Sequence, residues 1–466
     1  MKKSIFEPFP PSSKDEWLTQ AIRDIRGKDY QKTLTSLTPD GIRIHPYYAM
    51  EDRVPGLAGY HNSFHPASES PGLSARLWAN VAAFEIKDEK SSNKDILHAL
   101  MNGVDGIVLK TKGDVTWETL LEGVEISYIK IYLEPLEKPN DVWESFKAWI
   151  VAKEVQHSEL QGGIIWDGFA KALEFREDRE NLIEQSAYLI KSANDYPNFR
   201  PVSIRFSCYH KAGATAVLEL GYGFASLVEL ADSLSMRGLS AQEVFSSCLV
   251  CMEAGSDFFA EIAKIKAARV FFHQLATLYG LSIDPESIEI MAGTSHWTKT
   301  SWDLQSNFLR NTTEAMAAIL GGCNALLVGT HDFSDSGSSL RMARNISNIL
   351  KEEAFFDKVV DPAAGSYYVE ALVQEILEKT KSKLLDIEKQ GGWYGAYDTL
   401  TMQAQIRAVR TNRMQAVLEG KSSKIGLNKY ALAENRPRLE LPTEESWQLV
   451  PWRESLMFEY QNQDQA

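Results

Sequence analysis

The residues most able to do chemistry stand together in the run Ile204-Arg205-Phe206-Ser207-Cys208-Tyr209-His210-Lys211-Ala212-Gly213-Ala214-Thr215. An apolar, β-branched segment ends there in a cluster of polar side chains, and a Gly/Ala-rich segment with helical spacing follows to about Leu230. That pattern predicts a buried strand whose C-terminal tip presents Tyr209 and His210 before the chain turns into a helix. Strand tips in parallel α/β folds face the ligand site, so Arg205, Tyr209, His210 and Lys211 could supply polar contacts in a mouth pocket. The plainer alternative is that His210, one of nine histidines, is structural.

Other chemically suggestive spacings read as framework. Cys248 and Cys251 form a C-x-x-C, a spacing used in metal and redox sites. Their surroundings, Phe245 to Met252, look like a buried strand, and neither a second pair nor a His-x-x-x-His completes a zinc set. The cysteines at 208, 248, 251 and 323 are expected as reduced, buried thiols. His61 and His65 stand at i and i+4 in a Gly/Pro-rich loop without a third ligand. Asp361 and Ser366 are expected to set a turn and cap the following helix. Ser334 or Asp335 should do the same for the helix beginning near Ser338.

The elements that must position these residues follow from the pattern of apolar runs. The chain has 466 residues, 44% hydrophobic and 24% charged, ordinary values for a globular protein. A net charge of -14 with no offsetting basic stretch argues against a generic nucleic-acid binder. No apolar run approaches the roughly 20 residues of a membrane span, and Met1 to Pro8 lacks the apolar core of a signal peptide. A cytoplasmic location is the resulting expectation.

Compact apolar runs at Trp78–Ile86, Gly103–Leu109, Ile126–Leu133, Gly163–Trp166, Val202–Cys208, Val244–Met252, Ile288–Ala292 and Asn324–Val328 are candidate strands. Helical patterns fill most intervals, clearest at Phe258–Tyr279, Trp302–Leu320 and Leu340–Glu353. Such an alternation predicts an α/β protein, a (β/α)8 TIM barrel, over an open doubly wound sheet, and no G-x-G-x-x-G follows an early strand. The expected organisation is an N-terminal arm and loop segment (1–75), the barrel (76–355), and a C-terminal helical extension and tail (356–466). In the arm a helix is expected at Lys14–Arg26, and the aromatic Trp17, Tyr30, Tyr47 and Tyr48 suit packing on another chain. Beyond the barrel, helices are expected at Val369–Gln390 and Tyr397–Glu419, then an extended tail carrying Pro437, Pro442 and Pro451.

Four longer strings carry a family resemblance. Phe258-Phe259-Ala260-Glu261-Ile262-Ala263-Lys264-Ile265-Lys266-Ala267-Ala268-Arg269 resembles an F-F-x-E-I-A-K-x-R-A-A-R helix. Asn311 to Gly322 carries E-A-M-A-A, Asp361 to Glu370 resembles D-P-x-G-G-S-Y-x-x-E, and Lys424 to Tyr430 resembles V-G-V-N-K-Y. Together, from about residue 40 onward, they resemble the methylmalonyl-CoA mutase family. The resemblance implies a TIM barrel whose central channel holds the pantetheine arm of a CoA ester. In catalytic members an adenosylcobalamin-carrying domain caps the barrel's C-terminal face, and the cofactor starts a radical rearrangement between methylmalonyl-CoA and succinyl-CoA.

The departures from that family's catalytic pattern cluster at one barrel face. The cobalt-ligating D-x-H-x-x-G motif does not occur in the sequence, and Trp452 to Glu459 resembles the R-x-x-E-P-F-E tail of the family's small subunits. The S-G-Y-H-M-Q-E-A-G-A loop becomes Ser207 to Ala214, keeping His210 but losing two residues directly after it. In H-x-Q-T-S-G-W the His becomes Met291, the Gln Gly293 and the Gly His296. H-T-N-x-x-D-E becomes Gly329 to Asp335, placing Phe333 inside the loop. R-Q-Y-A-G-F-S-T has no counterpart between Tyr48 and Ser74, and N-D-x-L-K-E is replaced by Asp167 to Ala172.

The profile is that of a non-catalytic small (β) subunit. The resemblance implies that no catalytic set is intact, that His210 and Tyr209 are remnants of one, and that Arg205, Lys211, Met291, Gly293, His296 and Phe333 are remnants of a substrate pocket. No cofactor or metal is expected on this chain. Adenosylcobalamin belongs on a larger catalytic partner in a heterodimer, with no nucleic acid or membrane involved. The alternatives are a catalytic barrel served by a separate cobalamin-binding chain, or an acyl-CoA-binding regulatory module. Met291 and Phe333 favour a plugged channel over the latter.

Overall fold

The apolar runs become strands buried on both faces, the condition under which a strand reads as continuous hydrophobic sequence. The computed structural model describes residues 12–54, 74–431 and 436–463. Its main sheet contains Ala79–Glu85 (β1), Gly106–Thr111 (β2), Lys130–Pro135 (β3), Gln161–Ile164 (β4), Phe199–Arg200 (β5), Val202–Arg205 (β6), Cys248–Ala254 (β7), Ile290–Thr294 (β8) and Ala325–Leu327 (β9). Their order is β5-β4-β3-β2-β1-β9-β8-β7-β6, with every pairing parallel. Pro201, which has no amide hydrogen, separates β5 from β6, so these two segments make one strand position. β5 pairs with β4, β6 pairs with β7, and the Ser203 amide donates to the Trp166 carbonyl at 2.8 Å. The ring thus closes as a TIM-like barrel of eight strand positions, wrapped by helices such as Phe258–Leu278, Ser306–Gly321 and Gly337–Glu352.

Several element ends differ from the sequence expectation. β6 stops at Arg205, three residues early, because the Arg205 amide turns to the Asp167 carboxylate at 2.7 Å and Phe206–Lys211 coils into a short helix. Tyr209 and His210 therefore lie on that helix and not on a strand tip. Ile126–Tyr128 is a 3-10 turn ahead of β3. Ala241–Ser246 is a helix held by a Ser240/Glu243 capping box ahead of β7. The expected Tyr397–Glu419 helix is broken at Leu400, whose φ of 59° separates Gly392–Asp398 from Thr401–Leu418. Ser336, not Ser334 or Asp335, caps Gly337–Glu352. The tail closes on a helix, Leu456–Asn462.

Two outer segments bear on the barrel mouth. In the arm, helix Lys14–Asp24 leads to a small hairpin (Ser36–Leu37 with Arg43–Ile44). This buries Ile42 and sets the Asp40 carboxylate 3.3 Å from the Val217 amide, at the start of helix Ala216–Ser235. Trp17 stacks on Tyr47, and Tyr48 packs on Tyr368 of this same chain. At the other end the tail lies across the mouth, with the Trp452 amide on the Lys211 carbonyl and the Glu454 amide on the Trp297 carbonyl, each 2.8 Å. Gly213 makes the turn beneath it at φ 96°, where a Cβ would come within 2.9 Å of Arg410 and Trp297.

Candidate functional site

In a (β/α)8 barrel the chemistry belongs at the C-terminal ends of the strands, with the barrel axis beneath. Here the axis is packed. Val81, Val108, Tyr132, Leu249, Cys251, Met291 and Ala325 form one buried apolar cluster of inward-facing side chains. At the opposite end a polar crossbar spans the ring. Lys130 and Tyr132 of β3 both bind Glu289, the residue preceding β8, which stands four strand positions away. The Tyr132 hydroxyl donates at 3.2 Å. Burial raises the Glu289 carboxyl, but Lys130 and Arg200 outweigh it and hold it below the usual carboxylate range.

The remnant residues divide into two groups. Tyr209, 2% exposed, accepts a hydrogen bond from Trp393 Nε1 at 2.7 Å, and burial pushes its phenol well up. His210, 4% exposed, is held on both ring nitrogens: Nδ1 lies 3.2 Å from Glu219 Oε2 and Nε2 lies 2.7 Å from Ser295 Oγ. The same Glu219 oxygen accepts from Lys264 Nζ at 2.8 Å, and Lys264 also pairs with Glu261 at 2.7 Å. His210 is thus part of a buried charge network between helices and does not line the mouth cavity.

That cavity, about 380 Å³, is lined by Lys211, Gly293, His296 and Phe333, together with Lys110, Glu253 and the tail's Pro451. Met291 lies below it in the axial cluster, and Arg205 lies to the side, 4.0 Å from Glu134 and 3.7 Å from Glu174. Lys211 sits 3.1 Å from Glu253 and is raised by it, while Lys211 and His210 outweigh burial and hold Glu253 low. Burial lowers His296 to about 4, so its ring is neutral near pH 7. Phe333, 43% exposed with a left-handed φ of 59°, meets that ring edge-on at 5.6 Å.

The cysteine pair does not chelate. Cys248 packs in the outer core while Cys251 points into the barrel axis, because three residues along a strand reverse the face. All four cysteines are free, and among the described residues no group of His, Cys, Asp and Glu is placed to hold a metal. Ser366 caps Tyr367–Lys389, and the Asp361 carboxylate turns the chain onto the Ala363 amide at 3.1 Å. His61 and His65 lie outside the described residues. Among the described residues no helix is long and apolar enough to cross a membrane.

Sequence reading missed the Glu219–Lys264 pair and the crossbar. A signal existed for the first: Glu219 and Lys264 each interrupt an apolar helical stretch. The second joins residues 159 apart in sequence and left no local trace.

The family model for methylmalonyl-CoA mutase matches residues 93–451. A methylmalonyl-CoA mutase small subunit of Porphyromonas gingivalis is 30% identical over 445 residues, covering 92% of this chain and 71% of that protein. One of Streptomyces virginiae is 26% identical, covering 93% and 73%. A methylmalonyl-CoA mutase of Cereibacter sphaeroides is 28% identical, covering 91% of this chain and 65% of its own length. With a barrel fold, a C-terminal mouth and these matches over most of its length, the chain belongs to the methylmalonyl-CoA mutase family.

Proposed function

We propose that this chain is the non-catalytic small subunit of a heterodimeric methylmalonyl-CoA mutase, whose larger subunit carries adenosylcobalamin and performs the isomerisation. The observation that carries this reading is the packed axis. Tyr132, Leu249 and Met291 fill the space along which a pantetheine arm would run, and the Glu289 crossbar spans its far end. Protein interiors close-pack, so an arm could enter only by displacing those side chains.

The mouth supports the same reading. Met291 and Gly293 offer no hydrogen-bonding side chain where orientation of a reacting group would need one. His210, the retained polar remnant, is committed to Glu219 and Ser295.

The groups at this face also do not suit a corrin. His210 is enclosed, His296 is confined against Phe333, and His331 stacks on Phe308 at 3.7 Å. The tail crosses the mouth above a cavity sized for a small molecule. The cofactor is accordingly assigned to the partner, and this chain's part is to present a stable barrel surface to it.

Native co-purification of the full chain from its source tests the assignment, with intact mass and visible absorbance recorded on the complex. The expected result is a stoichiometric larger partner bearing the corrin absorbance, with no turnover by the chain alone supplied with adenosylcobalamin. A chain that isolates without a partner, or that turns over methylmalonyl-CoA alone, overturns it.

A further inference from the structure

The mouth cavity is lined by both charged and apolar side chains. Its polar lining holds a surplus of hydrogen-bond donors. Each of Lys110 and Lys211 brings an ammonium with three donors, and Thr330 brings a hydroxyl. The neutral His296 ring brings one further N–H, and among the described residues neither ring nitrogen has a hydrogen-bond partner. The acceptors facing them are few. Glu253 takes Lys211 at 3.1 Å, and among the described residues the Lys110 ammonium has only a distant ion pair, 3.9 Å from Glu134. An acceptor-only group completes such a set, and carboxylates and phosphates are acceptor-only anions.

The other side of the cavity is apolar, made by Leu327, Phe333 and Pro451. Its volume of about 380 Å³ falls in the range of small-molecule sites, and the packed axis below limits how far a ligand can extend. The geometry points to a reversible site for a short-chain free carboxylate, its head between Lys110 and Lys211 and its tail against Leu327, Phe333 and Pro451. The burial that holds His296 neutral keeps it a donor without adding a buried charge. The site stands on this chain's residues alone and does not depend on which partner it joins.

Isothermal titration of the full chain with butyrate tests this, using acetate, inorganic phosphate and coenzyme A as comparison probes. Saturable butyrate binding is expected, tighter than acetate or phosphate and weakened by added salt. Lys110→Ala, on a partly exposed side chain, should weaken it about tenfold, a loss in keeping with one charge-assisted hydrogen bond. Lys112→Ala, whose exposed side chain lies outside the cavity, should leave binding unchanged. No saturable heat, equal binding by the Lys110→Ala protein, or phosphate binding as tightly as butyrate would each overturn the proposal. So would coenzyme A competing for the site with higher affinity than butyrate. A thermal melt of Lys110→Ala matching the parent shows that any loss is local.

Discussion

One carboxylate oxygen, Glu219 Oε2, holds Lys264 at 2.8 Å and His210 at 3.2 Å, all three side chains buried. Lys264 further donates to the Glu253 carbonyl at 2.7 Å and pairs with Glu261. It is therefore a cation shared by two carboxylates, the buried Glu219 and the largely enclosed Glu261. Glu261 shows the effect: burial raises its carboxyl, yet Lys264 and His210 bring it below its ordinary value. Lys264→Met keeps the length of the side chain and removes the charge. Removing one partner of a buried pair costs about 3–5 kcal/mol, so the urea midpoint of the variant should fall by that equivalent. A midpoint within experimental scatter of the parent's would mean the network is hydrated and not buried.

The barrel axis makes a separate stability prediction. Met291→Ala leaves a cavity inside a close-packed ring and should cost about 2–5 kcal/mol. Tyr132→Phe keeps the ring and loses only the hydroxyl donated to Glu289, so about 1 kcal/mol is expected. Denaturant unfolding of both variants checks the ordering. If Met291→Ala proves as mild as Tyr132→Phe, the axis is loosely filled and an arm could be admitted.

Much of this was legible in the sequence, for physical reasons. Barrel strands are largely buried on both faces, so most left a compact, mainly apolar run, and helices of 3.6 periodicity marked the intervals. The end of β6 was not legible. Ile204, Phe206 and Cys208 are as apolar as a strand, and only the capture of the Arg205 amide by Asp167, 38 residues earlier, stops the ladder. The substitutions at Met291, Gly293 and His296 could be read one by one. That Tyr132, Leu249 and Met291 meet on one axis could not, since strand register and closure decide it.

The thiols should be silent in the native state. Burial pushes Cys251 up to about 12 and raises Cys208, Cys248 and Cys323 as well, so none is a thiolate near pH 7. Ellman's reagent is expected to react negligibly with folded protein and with four thiols after denaturation. Zinc should neither bind stoichiometrically nor slow the reaction of the unfolded chain's C-x-x-C beyond a simple peptide. Rapid modification of one native thiol would locate an opening of the fold that the packing does not predict.

His296 gives the chain a pH dependence of definite sign. Burial lowers its ring to about 4; Lys211, Arg453 and Lys299 push in the same direction and only Glu253 opposes them. An unfolded histidine titrates near 6.5, so between about 6.5 and 4 the unfolded chain binds a proton that the native ring refuses. Stability from this group is therefore fully present above 6.5 and is lost as the pH falls toward 4, at no more than about 1.4 kcal/mol per pH unit. The depressed carboxylates Glu253, Glu261 and Glu289 act in the same direction, but only below the unfolded carboxylate range near about 4.3. Buried Glu314 and Asp167, raised by desolvation, act with the opposite sign above the unfolded carboxylate range, so the histidine's share of the slope between pH 5 and 7 is read from urea unfolding of the parent against a His296 variant. His296→Phe, which keeps a ring against Phe333, should flatten the slope in that window while leaving the midpoint at neutral pH nearly unchanged. A slope that persists undiminished in the variant would assign the dependence to other histidines.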